Sequence, residues 1–258
     1  MLVKFLILAI VTVFAVDMAG CLPDRYPDGM IIDDQGAVIR KDTAKRMIYP
    51  VFTGHDFDDG FQYVRDVLKD HRIKATFFFT GDFYRNTGQA ELIRRLLEDG
   101  HYLGAHSDKH LLYCDWEKRD SLLVGYDVFK SDLENNYIEM KKFGISREET
   151  KWFMPPYEWY NDVISGWTRE MGLILVNFTP GTRSNADYTY PEMGDRYVSS
   201  EKIMKSILTY EEKEGMNGFI LLIHPGTDPR RTDKFYFHLD SLLNVLEERG
   251  YVFGRIDE

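Results

Sequence analysis

A single α/β domain, built as a closed or nearly closed (β/α)7 barrel of parallel strands, is the fold this chain predicts. Short apolar, β-rich runs alternate with longer amphipathic stretches from Met47 onward. No low-complexity tract, and no repeat beyond the βα unit, marks a second domain. The 258 residues, 44% of them apolar, are enough for one large core. Strands separated by helices pair in parallel, and closing the sheet is the economical way to bury seven of them.

In chain order, Lys4 precedes a run of twelve residues, 5–16, apolar but for Thr12. A bilayer span needs ~20 helical residues, so the run reads as the hydrophobic region of a signal peptide, residues 1–20. It ends at Asp17-Met18-Ala19-Gly20-Cys21, which resembles a bacterial lipoprotein cleavage box except that Met18 replaces the usual leucine. Cys21 is then expected to carry lipid and tether a cell-envelope protein to a membrane surface; periplasmic or secreted export with a free Cys21 thiol is the alternative. Residues 21–46 are polar, with Pro23, Pro27, Gly29 and Gly36, and read as a tether and irregular lead-in. The domain itself occupies 47–258. Its strands are expected at 48–52, 75–79, 102–105, 151–154, 173–176, 219–223 and 251–254. Its helices are expected at 62–70, 89–98, 128–143, 161–171, 201–214 and 237–249.

A net charge of −10 and a pI near 5.2 argue against a nucleic-acid binder, which would carry a basic face. A neutral or weakly charged substrate fits better. Besides Cys21 the only cysteine is Cys114, so no disulfide framework exists. Cys114 continues the spacing of His106 and His110, but eight helical residues rise ~12 Å, whereas two ligands of one zinc lie within ~4 Å. It is expected to be a structural thiol.

The chemistry concentrates where strands end. His55-Asp56-Phe57-Asp58-Asp59-Gly60 follows the first expected strand, and His106-Ser107-Asp108-Lys109-His110 follows the third. Pro155-Pro156-Tyr157 follows the fourth, 177–182 the fifth and His224 the sixth. In a parallel barrel these ends share one face, the one on which active sites are built. Imidazoles at i and i+4 on a helical face can reach one ion, and a carboxylate from another loop supplies a third ligand while leaving a position open. Taken alone, a His-x3-His pair is weak and Asp-Asp-Gly is usually a turn. His224 alone could be a core histidine at the end of an apolar strand; its place before Pro225-Gly226 favours function.

At these residues the chain resembles the polysaccharide deacetylases, carbohydrate esterase family 4 or the NodB homology domain, over about residues 47–256. That resemblance implies a distorted barrel and divalent-metal hydrolysis of N- or O-acetyl groups on a glycan. The family's Thr-Phe-Asp-Asp-Gly maps onto Asp56-Phe57-Asp58-Asp59-Gly60, implying Asp58 as general base and Asp59 as metal ligand, with Asp56 the rival base. His-Ser/Thr-x-x-His maps onto His106 to His110, implying two metal ligands. Leu-x-His maps onto Leu222-Ile223-His224, implying His224 as general acid. The metal is expected to be one zinc ion, with cobalt or nickel as alternatives.

Two motifs depart. Arg-x-Pro-Tyr reads Met154-Pro155-Pro156-Tyr157 here, without the arginine, and Asp-x-x-Asp-Trp has no counterpart. Arg183 or Arg231 could replace the missing cation, and Asp187 could orient His224. Tyr157, Trp159, Tyr160 and Trp116 are candidate sugar platforms, with core packing as the alternative. Arg183, Tyr157 and Trp159 are taken as substrate contacts. His55, His71, His101 and His238 receive no role. The expected partner is an acetylated glycan, with no nucleic acid, a membrane contact only through the lipid, and the oligomeric state open. Two rival readings remain: a non-catalytic glycan-binding protein on the same fold, and a metal-dependent amidase for a small cyclic amide or imide.

Overall fold

The computed structural model describes residues 29–258. The expected signal peptide and Cys21 lie outside the described residues. The chain passes through β1 (Ile31–Ile32), β2 (Val38–Arg40), β3 (Met47–Gly54), α1 (Phe61–Asp70), β4 (Thr76–Phe79), α2 (Gly81–Arg85), α3 (Ala90–Glu98) and β5 (Tyr102–Ala105). It continues through α4 (Tyr126–Lys141), β6 (Trp152–Phe153), α5 (Asp162–Glu170), β7 (Ile174–Leu175), α6 (Ser200–Glu214), β8 (Phe219–Ile223), α7 (Leu239–Glu248) and β9 (Val252–Phe253). Each expected strand and helix is present; those expected at 151–154, 173–176 and 251–254 shrink to two residues each.

The sheet order is β1-β2-β8-β3-β4-β5-β6-β7, with β9 also on β3. Pairing among β3 to β9 is parallel, as expected. The lead-in is not irregular. β2 pairs antiparallel with β8 at Arg40 and Phe219, while Val38 bridges in parallel to Val176. The Asn177 N–H donates to the Val38 carbonyl at 2.9 Å. This segment therefore spans the gap between β7 and β8 and closes a distorted barrel, so the domain begins before Met47. β1 and β2 are too short to show a period of two, and β2 is ordered by the two strand edges it joins.

Side chains alternate across a strand, so each core strand feeds two apolar layers. Tyr49, Val51, Phe78, Tyr102, Trp152, Met154, Ile220 and Leu222 fill the barrel interior. Ile48, Phe52, Phe77, Phe79, Leu103, Phe153, Leu221 and Ile223 face the helices. Both faces are buried, which is why these strands read as continuous apolar runs. The helices answer with stripes at helical spacing, such as Leu239, Leu242, Leu243 and Leu246 on α7. Each fully buried leucine contributes ~1.5–3 kcal/mol. Continuing the interior column by steps of two leads from Val51 to Thr53 and His55, from Phe78 to Thr80, from Tyr102 to His106, and from Leu222 to His224. The barrel's own periodicity delivers these polar groups to its C-terminal end.

Candidate active site

A cavity of about 570 Å³ opens there, lined by Thr53, His55, Asp56, His106, His110, Trp116, Tyr157, Glu158, Tyr188, Arg196 and His224, among others. His106 is buried at the end of β5. Its Nδ1 donates to the Met154 carbonyl at 2.8 Å, which leaves Nε2 as the free acceptor of the neutral ring. Asn136 of α4 accepts the His106 N–H at 2.9 Å, and one turn earlier Asp132 accepts that of Lys109 at 2.9 Å. Burial carries the His106 imidazole down to about 3 and His110 to about 2, the neighbouring histidines adding to both. Both rings are neutral at physiological pH, the state in which imidazole binds metal.

The two histidines do not sit on a helix. After Ala105 the chain turns through Ser107 (φ 71) and His110 (φ 53), with the His110 N–H on Ser107 Oγ at 2.8 Å. The rings approach to 5.1 Å between centroids. Tyr157 (φ 60) and Glu158 (φ 52) are also left-handed. Four of the five non-glycine residues with positive φ among the described residues thus line or adjoin this cavity. Each costs ~1–3 kcal/mol, a concentration expected where geometry serves a site.

The expected carboxylates are displaced from these histidines. Asp59 accepts from the Thr227 N–H at 2.9 Å, Tyr236 Oη at 2.7 Å and Lys234 Nζ at 2.9 Å. Burial alone would raise its pKa, but these bonds outweigh burial and hold the carboxylate below its usual range. Asp58 is exposed and receives the Gln89 side-chain amide. Neither lines the cavity. The reason is where β3 stops: at Gly54, so that His55 and Asp56 leave the barrel rim and Asp58 and Asp59 lie beyond it. His55, to which the sequence assigns no role, stacks on His110 at 4.5 Å. Its Nδ1 is 3.1 Å from Thr80 Oγ1 and its Nε2 is 3.3 Å from Asp56 Oδ1.

His224 reaches the cavity as expected, and Asp187 orients it. The Nδ1 proton goes to Asp187 Oδ1 at 2.6 Å and the backbone N–H to Oδ2 at 2.7 Å. Burial by itself would lower the His224 pKa, but Asp187, aided by Glu158, raises it on balance. Arg231 is no replacement for the missing arginine. It is fully buried and donates to the carbonyls of Thr189 and Val198 and to Ser200 Oγ. Arg183 lies in a neighbouring hollow that shares only Tyr188 and Arg196 with the cavity. The Met154 side chain fills the barrel interior. Among the aromatics, Tyr157 and Trp116 line the cavity, Trp159 stacks behind Trp116 at 5.3 Å, and Tyr160 is core. Cys114 is buried and free, away from the cavity.

Among the described residues no three His, Cys, Asp or Glu side chains already enclose an ion position, and Asp59, held by Lys234, Tyr236 and Thr227, is not in the lining of the cavity that holds His106 and His110. The chemistry of the cavity's own donors fits a divalent metal: neutral imidazoles, one of them with its second nitrogen tied to a carbonyl, beside the Asp56 carboxylate.

The sequence profile of the polysaccharide deacetylase family matches residues 40–176, more than half of the chain, and the chain belongs to that family. It is 25% identical over 229 residues to the peptidoglycan-N-acetylmuramic acid deacetylase PdaA of Bacillus subtilis (strain 168), covering 88% of this chain and 76% of that protein. It is 27% identical over 210 residues to a peptidoglycan-N-acetylglucosamine deacetylase of Bacillus cereus, covering 78% and 84%. Among solved structures, a family 4 pseudoenzyme from Bacillus anthracis superposes with a TM-score of 0.65 at 17% identity, over 87% of this chain and 69% of that one. That last likeness is one of fold. Asp187 and His224 lie beyond the matched segment.

Proposed function

We propose that this chain removes acetyl groups from a peptidoglycan-type glycan, and that its hydrolytic centre uses Asp56, His106 and His110 in place of the set containing Asp59. One observation carries the reading: in a polysaccharide deacetylase chain, His55, Asp56, His106, His110 and the Asp187-held His224 converge on one cavity at the C-terminal end of the barrel. The named substrates of the two enzyme relatives point to peptidoglycan. Asp56, His106 and His110 would hold one divalent ion, zinc by donor type, with cobalt and nickel as alternatives. When bound, the ion supplies polarisation of the acetyl carbonyl and a more acidic water.

The remaining work falls to side chains. Counted from the strand, Thr53-Gly54-His55-Asp56 takes the place of the motif's Thr-Phe-Asp-Asp, so His55 replaces Asp58 as the base that accepts the proton of the attacking water. Thr80 Oγ1 holds the ring at Nδ1, leaving Nε2, on the side of Asp56, to accept that proton. His224, whose pKa Asp187 raises, hands its proton to the departing sugar nitrogen or oxygen. Tyr157 and Trp116 offer ring faces to the sugar. The protein is exported to the envelope, with lipid on Cys21; the mass of the native N-terminus tests this.

The deciding experiment measures bound metal and acetate release in Asp56→Asn and Asp59→Asn. Asp56→Asn should lose most of both, whereas Asp59→Asn should keep its metal and lose stability. The opposite result would return the site to Asp59. Met154 and the open donor set favour a second reading, a glycan-binding protein without turnover. It prevails if metal-loaded parent binds peptidoglycan fragments but releases no acetate.

A further inference from the structure

We propose that Glu158 makes this site selective for N-acetyl over O-acetyl groups, its carboxylate accepting the N–H of the acetamido sugar. The inference rests on the deacetylase reading above. Glu158 ends the 3-10 turn Pro156–Glu158 and, with Tyr157 before it, occupies the left-handed region that favours glycine. Neighbours hold it there: Tyr157 packs on His110 at 4.3 Å, and Asn177 Nδ2 donates to the Glu158 carbonyl at 3.0 Å. A glutamate in a strained position where glycine would rest is hard to explain by folding. It lines the cavity beside His224, and its carboxylate forms no hydrogen bond or ion pair with any described residue.

Burial pushes this carboxyl up to about 7, with His224 opposing the rise and Asp187 adding to it. Above that pH it is an acceptor without a donor, a costly state in a half-dry cavity unless a ligand supplies one. The acetamide N–H is such a donor, one bond from the acetyl carbon under attack. An O-acetyl ester has none, and turns an oxygen lone pair toward the carboxylate instead. After hydrolysis of the amide, the sugar amine still donates. Sites built around a substrate N–H discriminate strongly against analogues that lack it.

The test uses Glu158→Ala and Glu158→Gly, both of which remove the acceptor, at pH 7.5, with an N-acetylglucosamine tetramer and an acetylated xylotetraose as substrates. Calorimetric binding of the glucosamine tetramer gives a readout independent of turnover. Both variants should raise KM for the N-acetyl substrate about tenfold, change KM for the ester less than about twofold, and weaken glucosamine-tetramer binding about tenfold. Glu158→Gly relaxes the backbone and should melt no lower than the parent, which separates lost contact from lost fold. Equal KM changes on the two substrates, or unchanged glucosamine affinity, would overturn the proposal. If the parent releases acetate from neither substrate, the deacetylase reading fails, and glucosamine binding alone then decides the role of Glu158.

Discussion

Asp187 and His224 show how one buried carboxylate sets a neighbour's chemistry. With the His224 pKa raised above its ordinary 6.5, the imidazolium needed for proton donation persists to higher pH than in a free histidine and is lost as the pH climbs through the folded value. The same pair contributes stability that is complete below pH ~6.5 and fades as the pH rises. Asp187→Asn should therefore move the alkaline limb of the acetate-release profile to lower pH and cut the rate ~10²-fold. An unmoved limb would show that another group donates the proton. His101 behaves in the opposite sense. Burial lowers it from 6.5 to about 4, and its Nδ1 accepts the Ala75 N–H at 3.0 Å. Its contribution is present above pH ~6.5 and lost as the pH falls toward 4, roughly 3 kcal/mol in all. Urea titrations from pH 7 to 4 should show a flatter loss of stability in His101→Asn than in the parent.

Among the elements, the two loops that carry Asp56 and His224 depend on contact at a glycine. A Cβ on Gly226 would lie 1.8 Å from the Phe57 carbonyl oxygen, and the Gly60 N–H donates to the Pro225 carbonyl at 2.7 Å. Backbone cannot yield as a flexible side chain can. Gly226→Ala should part the loops, lower stability by ~2–3 kcal/mol and weaken substrate binding, readable as a lower urea midpoint and a higher KM. An alanine variant that keeps the parent's midpoint would mean the loops are looser than this contact implies. The same elements separate the motif's letters from the residues that reach the cavity. The run Asp56 to Gly60 contains the motif letters, yet the strand decides which residues face inward. Counting by twos from Tyr49 and Val51 through Thr53 arrives at His55. The alternation is local, but where it stops, at Gly54, is set by the pairing of β3 with its neighbours.

Across the molecule, closure of the barrel depends on the segment before Met47. Besides the β2 pairings, Lys41 Nζ donates to the Ile256 carbonyl at 2.6 Å and ties the lead-in to the last turn of the chain. A protein beginning at residue 47 leaves backbone groups of β8 and of Val176 to Asn177 unpaired, an edge open to aggregation. It should lose its single cooperative unfolding transition, while one beginning at residue 29 should keep it; calorimetry distinguishes them.

The sequence by itself determined the barrel, because seven apolar runs and the helices between them are local patterns of period two and 3.6 that survive without knowledge of neighbours. It also determined that His106, His110 and His224 share one face, since strand direction alone puts them there. Tertiary structure decided the rest. Which of Asp56, Asp58 and Asp59 meets the histidines depends on Lys234, Tyr236 and Thr227, contributed by a loop far along the chain. Whether Asp187 holds His224, and whether Arg231 is free or buried, depends on contacts that no local period encodes. A side chain's role follows from the partners that reach it, and those partners are brought together only when the sheet closes.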